Sequence, residues 1–161
     1  MATTLEELFA HNLWANLRLL DACAGLSEAQ LAASAPGTYG SIRDTLVHII
    51  AAEERYVSLL TGEQPEKPLR ESEGFPGLHE LRERARRTGE GLAGTAGTPP
   101  EHVLRGTRRG EPFAIRSVVP LIQAINHATE HRAHVATILS QEGVEPPVLD
   151  GWTYGRDVLD R

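Results

Sequence analysis

The chain has 161 residues, of which 40% are apolar and 24% charged, which suits one soluble domain with a real core. Its net charge of −6 and pI near 5.6 argue against a sequence-independent nucleic-acid binder, which needs a basic stripe. The single cysteine, Cys23, excludes an intrachain disulfide, and no run reaches the ~18–20 apolar residues of a membrane span.

Four stretches have helical periodicity. In the first, about residues 3–24, Leu5, Phe9, Asn12, Leu13, Asn16, Leu19, Leu20 and Cys23 share a stripe behind an N-cap at Thr3 or Thr4, and Gly25 ends it. Cys23 reads as a small buried hydrophobe rather than a nucleophile. Asn12 and Asn16 need partners there and either line a pocket or cross-link the helices. Trp14 falls about 180° from Leu5 on the wheel, so it is either exposed or covered by a partner chain, a hint of dimerisation. The opening MATTLEELFAHNLW lacks a charged n-region followed by an apolar run, so no signal peptide is expected and the location is read as cytoplasmic.

The second helix, about 41–61, starts at a capping-box-like Ser41 with Asp44 and stops at Gly62. The third, about 76–94, places Leu78, Leu81, Ala85 and Leu92 opposite a charged face, and Gly89 and Gly91 weaken its second half. RERARR at 82–87 and RGTRRG at 105–110 read as solvated surface. The segment TAGTPPEHVLRGTRRGEPFAIRS is a loop or a small hairpin turning at Arg109–Gly110. The fourth helix, about 117–142, is capped by Ser117, tolerates Pro120 in its first turn and stops at Gly143 and Pro146. The tail PPVLDGWTYGRDVLDR makes a short final helix or turn. The expected fold is a single all-α domain over 1–161, a four-helix bundle with a long irregular connection before the last long helix.

The last helix concentrates imidazoles in INHATEHRAHV, residues 125–135. With His127 at zero, His131 falls at about 40° and His134 at about −20°, on the border of the stripe of Leu121, Ala124, Ala128, Val135, Ile138 and Leu139. Histidines at i and i+4 can reach one ion; spacing alone allows His131 to pair with either His127 or His134. His48 borders the stripe of Ile42, Leu46, Ile49 and Leu60 in the same manner and offers a third ligand. Three protein ligands leave coordination open for water or substrate. No pair of Glu-x-x-His units is present, which argues against a di-iron site. His11, His79 and His102 read as structural.

Glu53 and Arg132 lie within the apolar stripes of the second and fourth helices, where a lone charge costs several kcal/mol. The favoured reading pairs them with each other, bidentately. The alternative has Glu53 orienting a metal-ligating imidazole. Its direction, about 140° from His48, makes it a poor general base.

GSIRDTLVHIIAAEERYV followed by INHATEHRAHVATILSQEGVEPPVLD, with the early HNLWANLRLLDACAGLSEAQL, resembles the DinB-like family, also called YfiT-like metalloenzymes, over nearly the whole chain. The resemblance implies an up-down-down-up four-helix bundle, commonly a homodimer. It also implies a divalent metal, zinc or nickel, held by three histidines. These fall on His48 and, in a His-x-x-x-His-Arg pattern, on His127 and His131. His134 stands where the family often has glutamine and belongs to the edge of the site. Glu53 matches an acidic position, and Tyr56 stands where tryptophan is common. Relatives of this kind include transferases and isomerases that use a low-molecular-weight thiol such as bacillithiol or mycothiol, whose thiolate a metal favours. The implied function is a mononuclear metal-dependent enzyme that activates such a thiol or a water for hydrolysis. The alternative is a non-catalytic, stress-related metal- or ligand-binding protein, which would lack a concave apolar pocket at the open position. No catalytic residue of the chain's own emerges.

Overall fold

The computed structural model describes residues 2–99, 101–108 and 110–159. Helix α1, Thr4–Cys23, begins with a full capping box in which Thr3 and Glu6 satisfy each other's backbone N–H groups. Such caps contribute about 1 kcal/mol. A one-turn helix α2, Glu28–Leu31, interrupts the loop that follows, capped by Ser27 and Gln30 in the same reciprocal way.

Helix α3, Ile42–Thr61, starts where the Ser41 hydroxyl accepts from the Asp44 N–H. It ends at Gly62, whose φ of 79° is a left-handed conformation suited to glycine. A 3-10 turn, Glu71–Glu73, lies in the connection to helix α4, Leu78–Gly94. Leu81, Ala85 and Leu92 of α4 are fully buried. Gly89 and Gly91 do more than weaken this helix. A Cβ at Gly89 would sit 2.7 Å from Leu13 Cδ1, and one at Gly91 would sit 2.9 Å from Val57 Cγ1. The two glycines therefore let α4 approach both α1 and α3.

Strands β1, Val103–Arg108, and β2, Glu111–Arg116, pair antiparallel with Val103 opposite Arg116 and Arg108 opposite Glu111. The small hairpin thus forms, and the all-helical expectation is incomplete by this sheet. Half-buried Phe113 and Ile115 alternate with exposed neighbours, and the Phe113 ring covers Gly106, where a Cβ would lie 2.7 Å from it. Of the expected turn, Gly110 has φ 84°, and Arg109 lies outside the described residues.

Helix α5, Val118–Gln141, packs on α1 and α3, and α4 packs on the same two. Ser117 does not cap it as expected, because its own φ/ψ of −57°/−27° is already helical. Its hydroxyl instead donates to the Pro99 carbonyl at 2.6 Å, and its N–H donates to the His102 carbonyl. The serine ties the start of α5 to the preceding loop.

The tail forms helix α6, Gly151–Tyr154, capped by Asp150, and a π-helical turn, Gly155–Leu159. It folds back on α1, with the Tyr154 hydroxyl donating to Glu7, Arg18 paired with Asp157, and His11 Nε2 2.9 Å from the Leu149 carbonyl. Trp14 is accordingly half-buried beneath the chain's own tail. Tyr154 and His11 pack against its ring, and the Arg18 guanidinium lies 5.0 Å from the ring centroid. Trp152, 90% exposed, is the tryptophan that faces solvent. Among the described residues, no helix is long and apolar enough to cross a membrane.

Candidate functional site

Because α3 packs against α5, the histidines at the edges of their stripes meet. His48, His127 and His131 each offer a ring nitrogen, and these atoms all lie within 4.8 Å of one another. His48 Nε2 and His127 Nε2 are 3.0 Å apart. Two neutral imidazoles at that spacing share one proton or one cation. For comparison, tetrahedral zinc with Zn–N bonds of 2.0–2.1 Å sets its nitrogens about 3.3 Å apart. Among the described residues, no fourth His, Cys, Asp or Glu joins the group, and His127 Nδ1 is a buried polar atom without a hydrogen-bond partner. An all-imidazole donor set of this size fits a borderline-soft divalent ion.

The electrostatics favour the neutral, ligating form of His127 and His131. Burial, helped by the neighbouring His131 and His48, pushes the His127 pKa down to about 4. Burial also lowers that of His131, with His48 and His134 adding to the effect. His134 sits at the border as expected, its Nδ1 3.3 Å from that of His131. Tyr56 stands edge-on to His127 with ring centroids 6.1 Å apart. His11, His79 and His102 take no part in the cluster.

Two residues that spacing did not single out complete the surroundings. Tyr39, in the loop before α3, stacks on His48 at 3.9 Å between centroids and meets His131 edge-on. Glu71, on the 3-10 turn, accepts from the Tyr39 hydroxyl at 2.8 Å and lies 3.0 Å from His48 Nδ1 through the same oxygen. Its other oxygen accepts from Arg55. Partial burial pushes the Glu71 carboxyl up, but the bonds from Tyr39 and His48 outweigh it and hold the group below the usual carboxylate range. Both residues lie in aperiodic loops. Their only sequence signal is the general habit of ligating histidines to seek a carboxylate partner.

Glu53 does not serve the histidines, and it does not pair directly with Arg132. Asn12 and Asn16 stand between the two charges, each amide nitrogen donating to Glu53 Oε1 and each amide oxygen accepting from Arg132 Nη1. The expected bidentate pair is thus replaced by a bridged one, because two asparagines from α1 fill the space between α3 and α5. Thr88 donates to Glu53 Oε2. Burial drives the Glu53 pKa up against the pull of these donors, and it lowers that of Arg132 to about 10 against the pull of Glu53. Burial also pushes the Cys23 thiol up to about 12, as befits an inert packed side chain.

No curated protein matches this chain. Among solved structures it is similar to the crystal structure of a DinB-like protein from Bacillus cereus, with a TM-score of 0.67 at 17% identity, covering 89% of this chain and 94% of that one. At that identity the likeness speaks for the fold. The family model of the DinB family matches residues 1–157, nearly the whole length, and the chain belongs to that family.

Proposed function

We propose that this protein is a mononuclear metal-dependent enzyme in which His48, His127 and His131 hold one divalent cation, zinc or nickel. The observation that carries the reading is the convergence of three imidazoles from two helices, with no fourth protein donor in the group among the described residues. When bound, the cation would supply Lewis acidity, favouring the thiolate of a low-molecular-weight thiol for S-transfer or isomerisation, or lowering the pKa of a water for hydrolysis.

The chain's own residues prepare that chemistry. His127 and His131 stay neutral at neutral pH and keep lone pairs for a cation. Tyr39 shields one face of His48, and Tyr56 stands at the edge of His127. Arg55 places a positive charge close enough to His127 to lower its pKa. Buried Cys23 supplies no nucleophile.

The finer architecture belongs to the same proposal: one domain built as an up-down-down-up four-helix bundle of α1, α3, α4 and α5. The packing of α1 and α3 on both α4 and α5 supports it, as does the likeness to the Bacillus cereus structure. A homodimer is proposed on the family resemblance, and sedimentation at micromolar concentration tests it.

Nickel-loaded protein titrated with a cysteine-derived thiol tests the activity. A sulfur-to-nickel charge-transfer band that appears with thiol, and is absent in His48→Ala, supports a thiol-activating enzyme. A spectrum indifferent to thiol would leave the hydrolytic branch, tested with activated esters and amides. Inertness toward both would favour a metal-binding protein without turnover.

A further inference from the structure

Glu71 belongs to neither histidine-bearing helix, yet its carboxylate reaches the cluster from outside. Its Oε2 lies 3.0 Å from His48 Nδ1, while His48 Nε2, on the other side of the ring, faces His127 Nε2 at 3.0 Å. A carboxylate only accepts, so the Nδ1 it meets must carry the proton, and the neutral ring then leaves Nε2 as a bare lone pair. Tyr39 adds an independent constraint. Its ring lies nearly parallel to the imidazole, at 19° and 3.9 Å, and its hydroxyl is anchored on the same Glu71 oxygen. The stack sets the plane of the His48 ring, and Glu71 sets which nitrogen turns inward. Arg55 steadies the carboxylate through Oε1 at 3.3 Å.

We propose that Glu71 is the positioning residue of the histidine site: it fixes the tautomer and orientation of His48 so that Nε2 is presented to a divalent cation. The inference deepens the metal-site reading and rests on it. It also gives the connection between α3 and α4 a role, since the 3-10 turn that carries Glu71 is otherwise a surface segment. Loss of such an outer partner typically lowers metal affinity 10- to 100-fold. Glu71 lies at the surface with its side chain 34% exposed, so its removal leaves the folded protein standing.

The experiment uses untagged, metal-free protein. Zinc affinity is measured by competition with a chromophoric chelator, and the His48 tautomer by long-range proton–nitrogen spectra of 15N-histidine-labelled protein. Wild type should show His48 protonated at Nδ1. Glu71→Ala should bind zinc about 10- to 100-fold more weakly and show a mixture of tautomers, with an unchanged melting temperature for the metal-free form. Glu71→Gln, which keeps an acceptor oxygen without the charge, should fall between the two. Wild-type affinity in Glu71→Ala would overturn the proposal. So would weakened binding with the tautomer unchanged, which would make Glu71 merely a prop for its loop. Zinc binding that survives His127→Ala would sink the reading of the site instead, and the tautomer in metal-free protein would still judge Glu71.

Discussion

Glu53 and Arg132 face each other through Asn12 and Asn16, with all four connecting hydrogen bonds between 2.7 and 2.8 Å. The asparagine amides are matched to this position, because each has a donor for the carboxylate and an acceptor for the guanidinium. Every member is buried, so the group acts as one network that joins α1, α3 and α5, with Thr88 bringing in α4.

Breaking it at one end should therefore be costly. Arg132→Met leaves a buried carboxylate and two amide oxygens without their cation, and it should destabilise the fold by about 3–5 kcal/mol. The double variant Arg132→Met/Asn16→Leu should lose much less stability than the sum of the two single changes, because the partners are already lost. Urea denaturation of the single and double variants measures both. Simple additivity would contradict the network.

Gly89→Ala runs against helix propensity. Alanine favours a helix interior by about 1 kcal/mol over glycine, but here the new methyl would lie 2.7 Å from Leu13 Cδ1 and 2.8 Å from Leu13 Cβ. Because the Leu13 Cβ is not the free end of a side chain, α1 and α4 must part. The expected result is a net loss of about 1–3 kcal/mol by denaturant unfolding. A gain in stability would show that the helices can separate without strain.

Metal-free protein should lose stability on mild acidification through His127. The folded ring, surrounded by His48, His131, Arg55 and Glu71, protonates only near pH 4, against 6.5 for the ordinary imidazole. Between those values the unfolded chain binds more protons, so stability falls as pH drops from about 6.5 to 4. The lowered pKa of His131 acts in the same direction. Melting temperatures of wild type and His127→Asn across this range measure the effect. The wild type should fall more steeply, and parallel curves would contradict it.

The long helices were legible because each alternates an apolar stripe with polar residues over 17 or more positions. The edge of that stripe points to His48 and to His127, His131 and His134 together, and the choice of His127 with His131 comes from the family resemblance. Asn12 and Asn16 had two readings, and the cross-link is the one the fold adopts. Thr88 carries no apolar signal of its own, but its place in the series Leu81, Ala85, Thr88, Leu92 marks it as inward-facing. Tyr39 and Glu71 were beyond reach: their loops have no period, and which loop residue meets a helix depends on how the chain closes. The bridged form of the Glu53–Arg132 pair was also hidden, since it depends on the spacing between three helices. For Trp14, the wheel gave the direction but not the tail that covers it.

The most direct test of the central claim is metal content by elemental mass spectrometry on untagged protein, with His48→Ala and His127→Ala beside the wild type. The account predicts about one zinc or nickel ion per chain in wild type, as expected for a site with one set of three ligands, and loss of that ion in both variants. No bound metal in wild type after reconstitution, or an unchanged stoichiometry in the variants, would contradict it.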